Sequence, residues 1–335
     1  MSLPRSAAVI GLEGASLTAV EINLIRRYRP AGFILFRRNC GDPVQLRRLA
    51  DRLREVTDWP AVPILVDQEG GRVQRLTAPA WPCLPPAGKL ESWSSSSGLD
   101  PGEAARRHAR RLAVDLIDCG IGWDCAPVLD VADEATHQVI GDRSFGSDPE
   151  AVAIMGSAAL EAMIDAGIVP VIKHLPGHGR ARLDSHLALP TVDASIDELR
   201  ARDFVPFRRC AHAPAGMTAH LRYDALDGQP ATFSKIVIER VIRSEIGFDG
   251  LLFSDDISMG ALDGDLPSRC HRALAAGCDL VLHCTGDARE IEAVLDAVPA
   301  VTEGAAERLH RALAMVENPA PVARADIEQA MAGFA

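Results

Sequence analysis

The sequence has no long apolar run and no excess of basic residues, and these two absences exclude broad classes of partner. A transmembrane helix needs about 20 consecutive apolar residues, and no run in the 335 residues approaches that length. The apolar run over residues 7–12 ends at Glu13, so it is also too short for a secretory signal. A formal net charge of −11 disfavours binding to polyanions. We therefore expect neither a membrane nor a nucleic acid as the main partner.

Cysteines with metal-binding or disulfide-framework spacing are also missing. The sequence has eight cysteines but no CxxC pair, so neither a zinc ribbon nor a disulfide framework is indicated. Free thiols are typical of a reducing compartment, and we expect a cytoplasmic protein. An apolar content of 47% with 24% charged residues allows a sizeable core. Neither an internal repeat nor a linker divides the chain, so we expect one domain over residues 1–335, working as a monomer.

Eight short apolar runs alternate with helix-like segments along the whole chain. Each run is continuously apolar, as is typical of strands that are covered on both faces in a parallel sheet. Eight such strands with intervening helices favour an α/β fold of the (β/α)8 barrel type. An open doubly wound sheet has the same pattern and remains an alternative. The candidate strands are residues 7–12, 32–36, 62–70, 125–132, 169–175, 216–221, 250–256 and 278–284.

Several helix starts carry recognisable capping residues. Thr18 is followed three residues later by Glu21, the pattern of a capping box. Asp-Pro pairs at 42–43 and 148–149 supply an N-cap and a proline at the first helical position. Two segments interrupt the alternation and are predicted to be long loops, residues 76–101 after the third strand and residues 176–194 after the fifth.

Ionisable residues stand at the ends of six consecutive predicted strands. Active sites of (β/α)8 barrels lie where the carboxyl ends of the strands meet the following loops. Side chains alternate along a strand, so only one of Asp255 and Asp256 can face the barrel axis, and the pattern does not choose between them. A carboxylate there can attack an electrophilic carbon, bind a metal or cap a helix. The strand-end residues are Asp67, Asp130, Lys173, His174, His220, Asp255, Asp256 and His283.

The stretch KHLPGHGRARLDSH over residues 173–186 is dense in histidine and permits two chemical interpretations. The first is a metal site with the possible ligands His174, His178, Asp184 and His186. Pro176 and the glycines after it break any helix across this stretch, so the usual helical H-x-x-x-H context is missing.

The second interpretation is a proton-transfer pair made by Asp184 and His186. Residues i and i+2 of an extended segment point the same way, so Asp184 can orient the imidazole of His186. A histidine with an ordinary pKa of about 6.5 exchanges protons near neutral pH. We favour the pair over the metal, with a purely structural loop histidine as the remaining alternative.

Four motifs in order resemble those of bacterial family 3 glycoside hydrolases. The resemblance is strongest to the single-domain β-N-acetylhexosaminidases of peptidoglycan recycling, and the segment over residues 217–234 adds to it. Four motifs in register are specific, although any one alone is weak. They are VDQEGGRVQRL (66–76), IGDRSFGSDP (140–149), KHLPGHGRARLDSH (173–186) and FSDDISMGAL (253–262).

The resemblance implies a role for each matching residue. It implies a single (β/α)8 catalytic domain, with Asp255 as the nucleophile. It also implies that His186 is the acid/base, assisted by Asp184. Because His186 lies in a loop that contains Gly177 and Gly179, we expect this loop after the fifth strand to be mobile. No metal and no cofactor are implied. The implied sugar-binding residues are Asp67, Arg75, Arg143, Lys173 and His174.

The implied activity is that of a retaining exo-β-N-acetylglucosaminidase, which releases terminal N-acetylglucosamine from muropeptides through a covalent glycosyl-enzyme. Two other enzymes remain as alternatives, a phosphorylase of the same family and, from the histidine loop, a metal-dependent hydrolase. A sugar-binding module without catalysis is the alternative from another class.

Overall fold

The computed structural model describes residues 4–133, 136–183 and 189–317. Eight parallel strands close into a barrel in the order β1-β8-β7-β6-β5-β4-β3-β2, and β2 pairs with β1. The predicted barrel is confirmed, and the open-sheet alternative is wrong. The strands are β1 Ser6–Gly11, β2 Pro30–Leu35, β3 Ile64–Val66, β4 Trp123–Asp124, β5 Val169–Leu175, β6 Ala215–Thr218, β7 Leu251–Asp256 and β8 Leu280–His283.

Helices connect the strands on the outside of the barrel and begin at the expected caps. The side chain of Thr18 accepts the Glu21 N–H in a capping box, while Asp42 and Asp148 cap two of the helices that start with proline. None of the described helices combines the length and apolar character needed to span a bilayer. The helices are α1 Ala19–Tyr28, α2 Pro43–Thr57, α3 Leu90–Ser97, α4 Pro101–Asp118, α5 Pro149–Asp165, α6 Ile196–Ala201, α7 Val205–Arg209, the π-helical Val237–Glu245, α8 Leu266–Ala276, α9 Ala288–Ala297 and α10 Glu303–Ala314.

The fourth strand differs from its prediction. It covers Trp123–Asp124 instead of residues 125–132, with one isolated parallel bridge between Val128 and Lys173 further on. Pro127 has no N–H to donate, so a regular ladder cannot run through it. The apolar run around it is buried, but much of it is irregular.

The segment over residues 76–101 is not a loop throughout, because it contains α3. Leu90 and Trp93 lie one helical turn apart and are both buried, and they anchor the helix to the core. Four of the five serines that suggested a loop donate their hydroxyls to carbonyls of the preceding turn, as Ser97 does to Trp93 at 2.7 Å, while Ser94 donates to the Leu99 carbonyl.

Candidate active site

A cavity of about 280 Å³ opens at the carboxyl ends of the barrel strands. Its walls carry an apolar group that includes Met217 and Leu282, together with charged residues from several strands and loops. Six of the eight predicted site residues lie within the described part of the chain, and the structure brings all six to this cavity. They are Asp67, Arg75, Arg143, Lys173, His174 and Asp255.

A tight hairpin after β3 brings Asp67 and Arg75 to the cavity. Gln68–Gly70 pairs antiparallel with Val73–Gln74, and the chain reverses at Gly70 and Gly71 with φ of +88° and +59°. These left-handed conformations suit glycine and strain other residues. A Cβ on Gly70 would also lie 2.3 Å from the Pro85 carbonyl oxygen, so the turn requires glycine there for space as well.

Five charged side chains form a row of alternating sign, which we call the charge row: Arg75, Asp67, Lys173, Glu69 and Arg143. Arg75 Nη2 lies 2.9 Å from Asp67 Oδ2, and Lys173 Nζ lies 2.8 Å from Asp67 Oδ1. Lys173 Nζ also lies 2.7 Å from Glu69 Oε1. Arg143 donates two hydrogen bonds to the Glu69 carboxylate, one of 2.7 Å from Nε and one of 2.8 Å from Nη2. Each carboxylate therefore lies between two cations.

The row keeps all five groups ionised despite their burial. Burial alone would raise the pKa of Asp67 and of Glu69, but the adjacent cations lower both below their ordinary values. Burial acts in the opposite direction on Lys173 and Arg143, yet the neighbouring carboxylates raise the pKa of both. The cavity thus presents permanent charges at neutral pH, with three cations against two anions in the row.

Hydrogen-bonding capacity remains in the row for a ligand. Lys173 has three donor protons and uses two on carboxylates. The Arg75 guanidinium donates to Asp67 from Nη2, and its carbon lies 5.3 Å from the centroid of the Phe36 ring. Each oxygen of Asp67 can accept a further hydrogen bond. These groups match the donors and acceptors of sugar hydroxyls.

The two aspartates at the end of β7 are in different surroundings. Asp256 accepts the N–H and the hydroxyl of Ser258 at 3.0 and 2.6 Å and the N–H of Cys284 at 3.2 Å. Within the described chain, the one hydrogen bond to the Asp255 carboxylate comes from the Asp256 N–H, at 2.7 Å. Asp256 is therefore occupied in shaping a turn, whereas Asp255 is available to a ligand.

Asp255 carries a lowered pKa at the cavity. Burial alone would raise its pKa, but the neighbouring imidazoles and the Asp256 N–H hold the pKa below its ordinary value. An ionised carboxylate with little hydrogen-bond engagement is the state that a carboxylate nucleophile needs.

His174 is held by a buried aspartate. Its Nδ1 donates to Asp130 Oδ2 at 2.7 Å, which leaves Nε2 for a ligand in the neutral ring. Asp130 Oδ1 accepts the backbone N–H of His174 at 3.2 Å and that of His178 at 2.6 Å. Burial alone would raise the pKa of Asp130, but His174 and His178 lower it to about 2. Asp130 is thus an anionic support beneath the cavity wall.

The other two strand-end histidines do not line the cavity. His220 Nε2 donates to the Asp256 carbonyl at 3.0 Å, and its Nδ1 lies 2.7 Å from the hydroxyl of Thr232. His283 lies 2.9 Å from the hydroxyl of Thr285. Burial lowers the pKa of both imidazoles, so both are neutral packing groups of the barrel.

The predicted pair Asp184 and His186 lies outside the described residues, so its geometry stays a prediction. The chain that leads to it is anchored. The Tyr223 hydroxyl donates to the Gly177 carbonyl at 2.6 Å, and the Thr136 hydroxyl donates to the Gly179 carbonyl at 2.6 Å. Among the residues that can be described, no group of three or more His, Cys, Asp or Glu side chains is arranged to hold a metal ion.

Sequence reasoning assigned no role to Glu69 and none beyond a strand-end position to Asp130. A signal was present for Glu69, since it stands two residues after Asp67 and a side chain at that spacing in an extended segment points the same way. Its partners, Lys173 and Arg143, are distant in the sequence, so the pattern alone does not reveal the row.

The comparison with protein families decides the family. The model of the glycosyl hydrolase family 3 N terminal domain matches residues 8–317. The chain belongs to glycosyl hydrolase family 3.

Individual relatives are similar over most of the chain. A β-hexosaminidase of Alkalilimnicola ehrlichii is 43% identical over 300 residues, which cover 88% of this chain and 82% of that protein. A β-hexosaminidase of Tolumonas auensis is 39% identical, with 90% and 89% covered. The crystal structure of NagZ from Neisseria gonorrhoeae in complex with N-trifluoroacetyl-D-glucosamine superposes with a TM-score of 0.85 at 34% identity, covering 99% of this chain and 96% of that one. The predicted family, barrel and enzyme class, a glycoside hydrolase of the β-hexosaminidase type, are confirmed.

Proposed function

We propose that this family 3 enzyme is a retaining exo-β-N-acetylglucosaminidase that removes terminal, non-reducing N-acetylglucosamine from peptidoglycan fragments. The observation that carries the proposal is the pairing of an available, ionised Asp255 with the charge row across one cavity. The Neisseria gonorrhoeae relative, crystallised with N-trifluoroacetyl-D-glucosamine, supports an N-acylated glucosamine as the bound sugar.

The proposed reaction has two displacements. Asp255 attacks the anomeric carbon and forms a glycosyl-enzyme, while His186, steered by Asp184, gives its proton to the departing oxygen. His186 then takes a proton from water, and the water oxygen attacks the anomeric carbon and releases Asp255. The sugar is held by Asp67, Arg75, Arg143, Lys173 and His174, all of which line the cavity.

The same proposal includes the setting of the enzyme. We propose one catalytic domain over residues 1–335, acting as a cytoplasmic monomer with no metal and no cofactor. All eight cysteines lie among the described residues and none is paired, which fits a reducing compartment. Size-exclusion chromatography with light scattering tests the monomer, and activity that is unchanged after exhaustive chelation tests the absence of a metal.

The central experiment measures hydrolysis of a chromogenic N-acetyl-β-glucosaminide. We expect Asp255→Ala to reduce kcat by about 10³-fold or more, because no covalent intermediate can form. Asp263→Asn changes an exposed carboxylate paired with Arg272 and serves as the matched control that keeps wild-type turnover.

A slow fluoroglycoside analogue identifies the nucleophile directly. Label on Asp255, found by mass spectrometry of peptides, is the expected result, and label on another side chain contradicts the assignment. Running the reaction with and without inorganic phosphate separates hydrolysis from the phosphorylase alternative, since only the latter forms N-acetylglucosamine 1-phosphate.

A further inference from the structure

Glu69 belongs to the charge row but does not line the cavity. Its side chain is 4% exposed, and protein cations surround both carboxylate oxygens. Oε1 accepts from Lys173 Nζ at 2.7 Å and from Arg143 Nη2 at 2.8 Å, and Oε2 accepts from Arg143 Nε at 2.7 Å. Glu69 is therefore enclosed by protein cations and does not reach the cavity.

Asp67, the other carboxylate of the row, is placed differently. Its side chain is 15% exposed, it lines the cavity, and each of its oxygens accepts from one cation. The two carboxylates therefore differ in what they can contact. Asp67 can bind a ligand in the cavity, whereas Glu69 contacts protein cations.

The cations that Glu69 joins come from separate parts of the barrel. Lys173 stands on β5, and Arg143 ends a short 3-10 turn over Gly141–Arg143. The remaining described contact of the Arg143 side chain is a hydrogen bond of 2.8 Å from Nη1 to the Val139 carbonyl. Two parallel hydrogen bonds to one carboxylate fix both the position and the plane of a guanidinium. Glu69 therefore sets which edge of Arg143 is left for the cavity.

Glu69 also offsets a repulsion. The charge of Arg143 acts on Lys173 to disfavour its protonated form, and the carboxylate of Glu69 acts in the opposite direction. With Glu69 removed, two buried like charges would face each other without a shared counter-charge, and each would move towards solvent.

We propose that Glu69 is a positioning residue for the glycosidase reaction, fixing Lys173 and Arg143 in their sugar-binding geometry without touching the sugar. The inference rests on the proposed function, because it takes these two cations as sugar ligands. It adds a residue whose contribution to catalysis passes entirely through its two partners.

A double-mutant cycle tests the proposal in the full-length enzyme. Glu69→Gln keeps the shape but removes the charge, and we expect kcat/KM to fall about 10- to 100-fold, mainly through KM, since ground-state and transition-state binding are lost together. Arg143→Ala should cause a loss of similar size. If Glu69 acts through Arg143, adding Glu69→Gln to Arg143→Ala costs less than about threefold more. Losses that are fully multiplicative both in this cycle and in the matching cycle with Lys173→Ala would overturn the proposal.

The pH profile supplies a readout that a merely structural role would not move. Because Glu69 raises the pKa of Lys173, its replacement by glutamine lets Lys173 lose its proton at lower pH. The alkaline limb of kcat/KM should therefore shift to lower pH in Glu69→Gln. Asp279→Asn is the matched control, since Asp279 is a buried partner of Arg243 and Arg308 at the opposite end of the barrel. It should lower the melting temperature and leave the pH profile unchanged.

Failure of the proposed function is distinguishable from failure of this inference. If the wild type does not cleave the glycoside, the same cycle is measured by calorimetry with N-acetylglucosamine, and additive losses in affinity again overturn the role of Glu69. If Glu69→Gln does not fold, Glu69→Asp keeps the charge but is one methylene too short to span both cations, and it enters the same cycle. Wild-type KM in a folded Glu69 variant contradicts the proposal in either case.

Discussion

Asp124 lies at the end of β4 close to the charge row, and it is the exception to the ionised carboxylates there. Its Oδ1 accepts the Gln68 N–H at 2.9 Å, and its buried Oδ2 has no hydrogen-bond partner among the described residues. Burial raises the pKa of Asp124 well above its ordinary value, which favours the neutral form of this carboxyl in the folded protein.

The sign of the pH effect at Asp124 follows from this shift. A group whose pKa is higher in the folded state favours folding most below its unfolded pKa, about 3.9, and the benefit is lost as the pH rises. Asp124→Asn removes the titration and keeps an acceptor for Gln68. We expect the variant to be more stable than the wild type at pH 8, with a smaller difference at pH 4. Urea unfolding at both pH values measures it, and an equal difference at both contradicts a neutral Asp124.

Asp130 supports His174 through a charge-assisted hydrogen bond, and this contact predicts a catalytic effect. Asp130→Asn keeps the size of the side chain but weakens the bond from Nδ1 and allows the ring to rotate. Hydrogen bonds to charged groups contribute about 1.5–3 kcal/mol, so we expect kcat/KM to fall about 10- to 100-fold. Steady-state kinetics with the chromogenic substrate measures the loss, and a wild-type value would show that the ring is positioned by packing alone.

The segment from His178 to Ala181 joins β5 to the predicted catalytic loop. Its tight packing predicts that a substitution there changes both stability and activity. A Cβ added to Gly179 would lie 1.9 Å from the Val131 carbonyl oxygen, so the backbone must shift. We expect Gly179→Ala to lower the free energy of unfolding by about 1–3 kcal/mol and to lower kcat through displacement of the following residues.

Gly228→Ala is the matched control for this element, because a Cβ there meets nothing within 4 Å. Differential scanning calorimetry and steady-state kinetics on the two variants separate the effects. Equal behaviour of the two variants would show that the anchored segment does not influence the catalytic loop.

Elements were predicted well from sequence where local signals dominate. The caps at Thr18, Asp42 and Asp148 depend on residues two or three positions away, and they are confirmed. The fourth strand was misplaced because an apolar run reports burial and does not report whether a ladder can pass a proline such as Pro127. α3 was missed because its serines bond within the helix.

Contacts between distant segments limited the prediction of the site. The resemblance located six residues that the fold then gathered at one cavity. Glu69 and Asp130 were not assigned because their function depends on partners 74 and 44 residues away, which only the closed barrel brings within reach. The pair Asp184 and His186 lies outside the described residues and stays a prediction.

The whole molecule should lose stability in acid through two sets of buried groups. Burial lowers the pKa of His108 and of His178 to about 4. Unfolded histidines bind protons near pH 6.5, so stability falls as the pH drops from about 6.5 towards 4. The carboxylates Asp67, Glu69 and Asp130, whose pKa values are lowered, add a second loss as the pH falls below about 4.

Urea titrations between pH 7 and pH 3 test this expectation. We expect the free energy of unfolding to fall by several kcal/mol over the range. His108 lies outside the site, and its Nε2 donates to the Pro85 carbonyl at 2.9 Å, a bond that a glutamine amide can replace. His108→Gln should therefore lose less stability than the wild type between pH 7 and pH 4.5. If the free energy of unfolding depended on pH identically in both proteins, a neutral, buried His108 would be contradicted.

The alternation of sign along the charge row has a consequence for how sugar preference can diverge among related enzymes. Each inner member of the row has two opposite neighbours, so exchanging one cation for a neutral residue leaves a buried carboxylate short of a partner. New specificities at this wall therefore require compensating pairs of replacements. A library for directed evolution should accordingly vary positions 69 and 143 together, because a single change at either one leaves a buried charge without its partner.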